Sequence, residues 1–85
     1  MTKITFNDHI KIDHPLANKI SVQNSEYHHC TPGKSSEIAF FLNNKFQTEI
    51  IEEFADYADG LEGDTLVYSW VPNNLIEDFL EKYRL

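Results

Sequence analysis

The residues Lys45–Gly60, KFQTEIIEEFADYADG, place the strongest constraint on what this chain can fold into. On a helix at about 100° per residue, Phe46, Ile50, Phe54, Tyr57 and Ala58 fall in one apolar sector. Glu49, Glu52, Glu53, Asp56 and Asp59 fall in the opposite sector. The spacing predicts an amphipathic helix with one apolar face and one face made almost wholly of carboxylates. Gly60 suits the stop, because Gly takes the left-handed conformation without a Cβ clash. The charge does not help such a helix. Asp56 and Asp59 sit near the negative end of its macrodipole, and neither has a Lys or Arg four residues away to relieve it.

Strand signals surround this stretch. Residues 3–12 alternate, with Ile4, Phe6, Ile10 and Ile12 on one face and Asp8 interrupting; this reads as one bent strand or a hairpin turning at Asn7-Asp8. His14-Pro15 marks a break, and Leu16-Ala17 reads as a turn with one apolar anchor. Lys19–Gln23 is a short strand carrying Ile20 and Val22, Asn24-Ser25 is turn chemistry, and Glu26–Cys30 is polar but compatible with a strand. Thr31–Lys34 is the clearest loop. Glu37–Leu42, EIAFFL, is a continuous apolar run that suits a strand buried on both faces. Asn43 or Asn44 then supplies a cap for the helix.

Beyond Gly60 comes a polar turn, LEGD, and then Thr65–Val71 as a second central strand. Val67 and Val71 are expected on one face of it, with Leu66, Tyr68 and Trp70 on the other. Pro72-Asn73-Asn74 ends the strand and caps a final helix, Leu75–Tyr83. Leu75, Ile76, Phe79, Leu80 and Tyr83 form its inward stripe, while Glu77, Asp78 and Glu81 point out. The order β–α–β–α predicts an α+β fold. The expectation is a two-layer α/β sandwich with a mixed sheet of four or five strands and two helices on one face, in a single domain over residues 1–85. A parallel strand pair would need a right-handed crossover.

Charge is divided unevenly along the chain. Net charge is −7, yet residues 1–45 hold five Lys against four acids, while residues 46–85 hold ten acids against Lys82 and Arg84. Such a surface repels nucleic acid and anionic membranes and attracts basic surfaces. The N-terminus lacks the apolar run of a signal peptide, a lone Cys excludes an internal disulfide framework, and a cytoplasmic protein is expected.

No motif names a reaction, so an enzyme is not expected, nor a cofactor. His28-His29-Cys30 is the only cluster of metal-type ligands, and a structural zinc site wants four ligands with a second paired cluster. Gly33-Lys34-Ser35 resembles the end of a phosphate loop, but His28 stands where its first Gly is required and a strand follows the Lys. Asp56–Asp64 lacks the alternating ligands of a calcium loop. The carboxylates remain. Those at i, i+3 and i+4 lie about 5–6 Å apart on a helix, close to the spacing of phosphates along a nucleic-acid strand. The expectation is a small acidic binding protein whose ridge blocks a basic nucleic-acid-handling partner. The ridge comprises Glu49, Glu52, Glu53, Asp56 and Asp59, flanked by Glu77, Asp78 and Glu81. A CRISPR effector or restriction enzyme is the partner class, as for phage-encoded anti-CRISPR inhibitors, with no direct nucleic-acid or membrane binding. An immunity protein against a basic nuclease toxin and a small structural or homodimeric domain are the alternatives.

Overall fold

After Leu42 the chain turns back on itself and does not start a helix. In the computed structural model, which describes residues 8–24, 30–31, 33–62 and 65–85, Asn43 and Asn44 have φ of 53° and 67°. Two successive left-handed residues make a type I′ turn, whose twist matches that of flanking strands and which favours Asn at its centre. The elements are β1 Asp8–His14, β2 Ala17–Gln23, β3 Ser35–Leu42, β4 Lys45–Phe46, a 3-10 turn Glu52–Tyr57, β5 Ala58–Glu62, β6 Thr65–Pro72 and α1 Asn73–Tyr83. The sheet order is β1-β2-β3-β6-β5, with β4 also paired to β3. Every pair is antiparallel.

This corrects the expected two-helix sandwich with a mixed sheet. One α-helix is present among the described residues, and β3 and β6 run antiparallel. The reason lies at the hairpin. It commits Lys45 and Phe46 to pairing with Leu42 and Phe41, and the Gln47 amide then donates to the Phe40 carbonyl at 2.8 Å. The backbone is still extended at Ile51 (φ −81°, ψ 111°), and the turn that follows is kinked at Phe54 (φ −122°, ψ 17°). Gly60 lies inside β5, where it ends no helix.

The apolar sector moves accordingly. Phe46 and Ile50 are 40% and 41% exposed, whereas Ile51 and Phe54 are buried and Tyr57 is half-buried. Residues 51, 54 and 57 recur at the period of three that a 3-10 turn stacks on one side.

The β1–β2 connection is a hairpin through Pro15-Leu16, with His14 paired to Ala17. β2 therefore starts two residues earlier than its apolar pattern indicates. In β6, three residues from Tyr68 to Val71 span the two from Ile38 to Ser36 of β3. This bulge inverts the inside–outside order beyond it. Tyr68 and Val71 are both buried, and Trp70, at φ 51°, is 53% exposed. The expected grouping of Trp70 with Leu66 and Tyr68, and of Val71 with Val67, is thus corrected: Leu66, Tyr68 and Val71 share the core face and Trp70 does not.

One face of the sheet makes the core, with Ile10, Ile12, Ile20, Val22, Ile38, Phe40, Leu66, Tyr68 and Val71. Ile51 and Phe54 of the crossing segment close it from above, together with Ile76, Phe79 and Leu80 of α1. The inward stripe of α1 is as expected, with Leu75 and Tyr83 half-buried at its margin. The alternation at Ile4 and Phe6, the turn at Asn7, the polar segment 25–29 and residues 63–64 of the expected turn lie outside the described residues.

Candidate functional site

The 3-10 turn and α1 lie side by side on the core face of the sheet. Their contact is aromatic: the Phe54 and Phe79 rings are 5.1 Å apart, and both meet Phe40, at 5.8 and 5.6 Å. A groove runs between the two elements. Phe54, Leu75, Phe79 and Tyr83 form its floor, and Glu53, Asp78 and Lys82 stand on its rim. Its volume, about 230 Å³, is below the roughly 300–1,000 Å³ of small-molecule sites and suits a single inserted side chain.

The sequence-predicted carboxylates are only partly brought together. Glu52, Glu53 and Asp56 are exposed on the 3-10 turn, and Glu49 is exposed on the extended segment before it. Asp78 and Glu81 are exposed on α1, with Glu77 half-buried. Glu53 and Asp78 both line the groove, and only one of the two acidic segments is an α-helix. Asp59 leaves the group. It projects from β5 on the opposite sheet face, where its Oδ2 accepts the Ser69 hydroxyl at 2.8 Å. Among the described residues, Glu49, Glu52, Asp56, Glu77, Asp78 and Glu81 have no Lys or Arg in ion-pair range.

Glu53 is the carboxylate held most firmly. Its Oε2 is 3.3 Å from His14 Nε2. His14 Nδ1 accepts the Leu16 amide at 3.0 Å, so Nε2 carries the proton and donates to Glu53. The His14 ring is itself fixed between Phe79 (5.6 Å) and Tyr83 (4.7 Å). Burial alone would raise the Glu53 carboxyl. Its own backbone amide, the Tyr83 hydroxyl and His14 outweigh that and hold it below its ordinary value. His14, read from sequence only as a chain break, is thus the residue that positions Glu53. A buried His before a hairpin Pro carries no sequence signal for that role.

Lys82 offers the one basic group on the rim, with its Nζ 5.1 Å from the centre of the Tyr83 ring. Among the described residues no group of three His, Cys, Asp or Glu could hold a metal ion. His28 and His29 lie outside them, and Cys30 is half-buried. Lys34 leads into β3, so no helix stands behind the Gly33 turn. No helix among the described residues is long and apolar enough to cross a membrane.

No family model, curated protein or solved structure matches the chain.

Proposed function

We propose that the protein is a small acidic binding protein that docks on the basic surface of a nucleic-acid-handling partner. The docking face is built by the 3-10 turn and α1. The observation that carries this reading is the groove. It combines an aromatic floor with carboxylates on both banks, Glu53 and Asp78, and Glu52, Asp56 and Glu81 extend the same charge outward. Buried aromatic contacts supply most interface energy, and complementary charge sets association rate and partner choice. A partner residue with an apolar stem and a basic head fits both requirements. Arg and Lys, which line nucleic-acid sites, have that shape. A surface patch evolved to hold phosphates would be covered by this face and lost to nucleic acid.

The test uses a variant with Glu52→Lys, Asp56→Lys and Asp78→Lys. The substituted positions are exposed, so stability should change by within about 0.5 kcal/mol per site. Wild type and variant are each used to capture partners. The captured protein's affinity for its nucleic acid is then measured with each added. The expected result is that wild type abolishes nucleic-acid binding and the variant does not. Equal capture by both, or a partner whose nucleic-acid binding is unaffected by wild type, would overturn the reading.

A further inference from the structure

The sheet face opposite the core carries chemistry that the acidic side does not use. Successive strand residues point to opposite faces. With Ile10, Ile12, Ile20 and Phe40 in the core, Lys11, Lys19 and Phe41 stand on the outer face. The register aligns Lys11 with Lys19, Lys19 with Phe41, and Phe41 with Phe46. One row of side chains therefore crosses four strands, with two ammonium groups at one end and two aromatic rings at the other.

Each end of the row has features that packing does not explain. Like charges directly opposite across a strand pair are destabilising, and among the described residues neither lysine has a carboxylate in ion-pair range. Lys19 Nζ instead donates to Asn44 Oδ1 at 3.3 Å. The two lysines share a cleft with the side-chain amides of Asn18, Asn43 and Asn44, and with Leu85. No Asp or Glu lines it. At the aromatic end, the Phe41 and Phe46 ring centres are 4.6 Å apart, and the His9 ring lies 5.3 Å from Phe41. Phe46, on the two-residue strand made by the Asn43-Asn44 turn, remains 40% exposed.

We infer that this row binds single-stranded nucleic acid, one nucleotide unit lying along it. The base stacks on Phe46 and Phe41, and its flanking phosphates meet Lys19 and Lys11. Neighbouring strands are about 4.8 Å apart, so the lysine stems start about 5 and 10 Å from Phe41. Flexible ammonium groups at that reach can follow a backbone while the base stays on the rings. The stacking surface calls for an unpaired base, because a base inside a duplex hides its faces. The net charge of −7 argues against nucleic acid at long range, but the charge is not uniform. Five of the six lysines fall in residues 1–45, the carboxylates of the 3-10 turn and α1 lie across the sheet, and Asp59 of the outer face belongs to β5, at the edge farthest from β1. Packed layers are about 10 Å apart, beyond the roughly 8 Å screening length at physiological salt.

The probe is a fluorescein-labelled oligo(dT) of about ten nucleotides, within the usual site size for such grooves, followed by anisotropy at low and physiological salt. The competitors are unlabelled dTMP, duplex DNA and inorganic phosphate. Wild type should bind the strand. Phe46→Ala should weaken binding about tenfold, in line with one lost base stack, and Phe46→Trp should retain it. Lys11→Glu with Lys19→Glu should weaken binding and lower the salt slope by about one per lysine. Phe46 and Lys11 are exposed and Lys19 is half-buried with its ammonium group at the cleft, so circular-dichroism melts should show these variants folded. Competition by dTMP as well as strand identifies a nucleotide site, and competition by the strand alone a longer track; both support the proposal. Competition by inorganic phosphate alone, or binding that Phe46→Ala leaves intact, overturns it. No binding by wild type, with a concentration-dependent dimer that Phe46→Ala dissociates, overturns it in favour of a second copy of the chain on this face.

Discussion

Replacing Tyr68 by Phe removes one oxygen and tests how the segment from Lys45 to Gly60 is held. The Tyr68 hydroxyl accepts the Ile51 amide at 2.9 Å, and both residues are fully buried. Ile51 stands just before the 3-10 turn, where a backbone N–H has no partner within the turn itself. In Tyr68→Phe the ring keeps its contacts with Phe40 (5.4 Å) and Phe54 (6.4 Å), so no packing is lost. What remains is a buried amide without a partner, which costs about 1–3 kcal/mol. At roughly 4–8 °C per kcal/mol for a domain of this size, the midpoint should fall by at least about 4 °C. Chemical denaturation followed by circular dichroism gives the energy. Amide hydrogen exchange gives the location, since the Ile51 amide should be protected in wild type and lose that protection in the variant. The same experiment separates the observed turn from an α-helix over Lys45–Gly60. In such a helix the Ile51 amide would bond to the Gln47 carbonyl, and the hydroxyl would be irrelevant to it. Unchanged stability with the Ile51 amide still protected would refute the hydrogen bond and the geometry built on it.

Three further outcomes follow from the same geometry. Phe54 touches Phe40, Tyr68 and Phe79 and is fully buried; Phe54→Ala should cost about 3–5 kcal/mol, and a variant melting cooperatively near the wild-type midpoint would show the 3-10 turn undocked. Asn44 sits at φ 67°, so Asn44→Ala should lose about 1 kcal/mol while Asn44→Gly is neutral or stabilising, as denaturant midpoints will show. Glu53 has its folded-state value lowered below the ordinary 4.5, so its contribution to stability is whole above 4.5 and is lost as pH falls through the lower folded value. Stability measured from neutral to acid pH should therefore decline less steeply in Glu53→Gln than in wild type.

The presence of strands β2, β3 and β6 and of the helix α1 was legible from local apolar pattern, although the faces of β6 beyond its bulge were not. Ile20 and Val22 alternate, EIAFFL is too short and too aromatic for a helix, and Ile76, Phe79 and Leu80 recur at helical spacing. The segment from Asn43 to Glu62 was not legible. Asn is favoured both before a helix and in a left-handed hairpin turn, and the residue type alone does not choose between them. The helical sector count included Ile50 and left out Ile51, yet the 3-10 turn buries Ile51 and exposes Ile50. The triplet Ile51, Phe54, Tyr57 held the signal, but three residues at a period of three also fit one side of a short helix. For the candidate site, the acidic character was readable and its layout was not. Asp59 separates from Glu53 because it belongs to a strand whose alternation sends it to the other face. The Lys11–Lys19–Phe41–Phe46 row depends on strand pairing across the sheet, which no local spacing encodes.

The bulge at Trp70 has a practical consequence for any experiment on this protein. Trp70 is the sole tryptophan of the chain, and the bulge leaves its indole half in water and outside the core. Native emission should already be red-shifted, so unfolding will change it little and tryptophan fluorescence will be a poor gauge of the core. The same position makes it a sensitive optical reporter of anything that settles on its side of the sheet. A blue shift on adding a ligand, with the far-ultraviolet spectrum unchanged, would record water leaving the indole without the fold being touched.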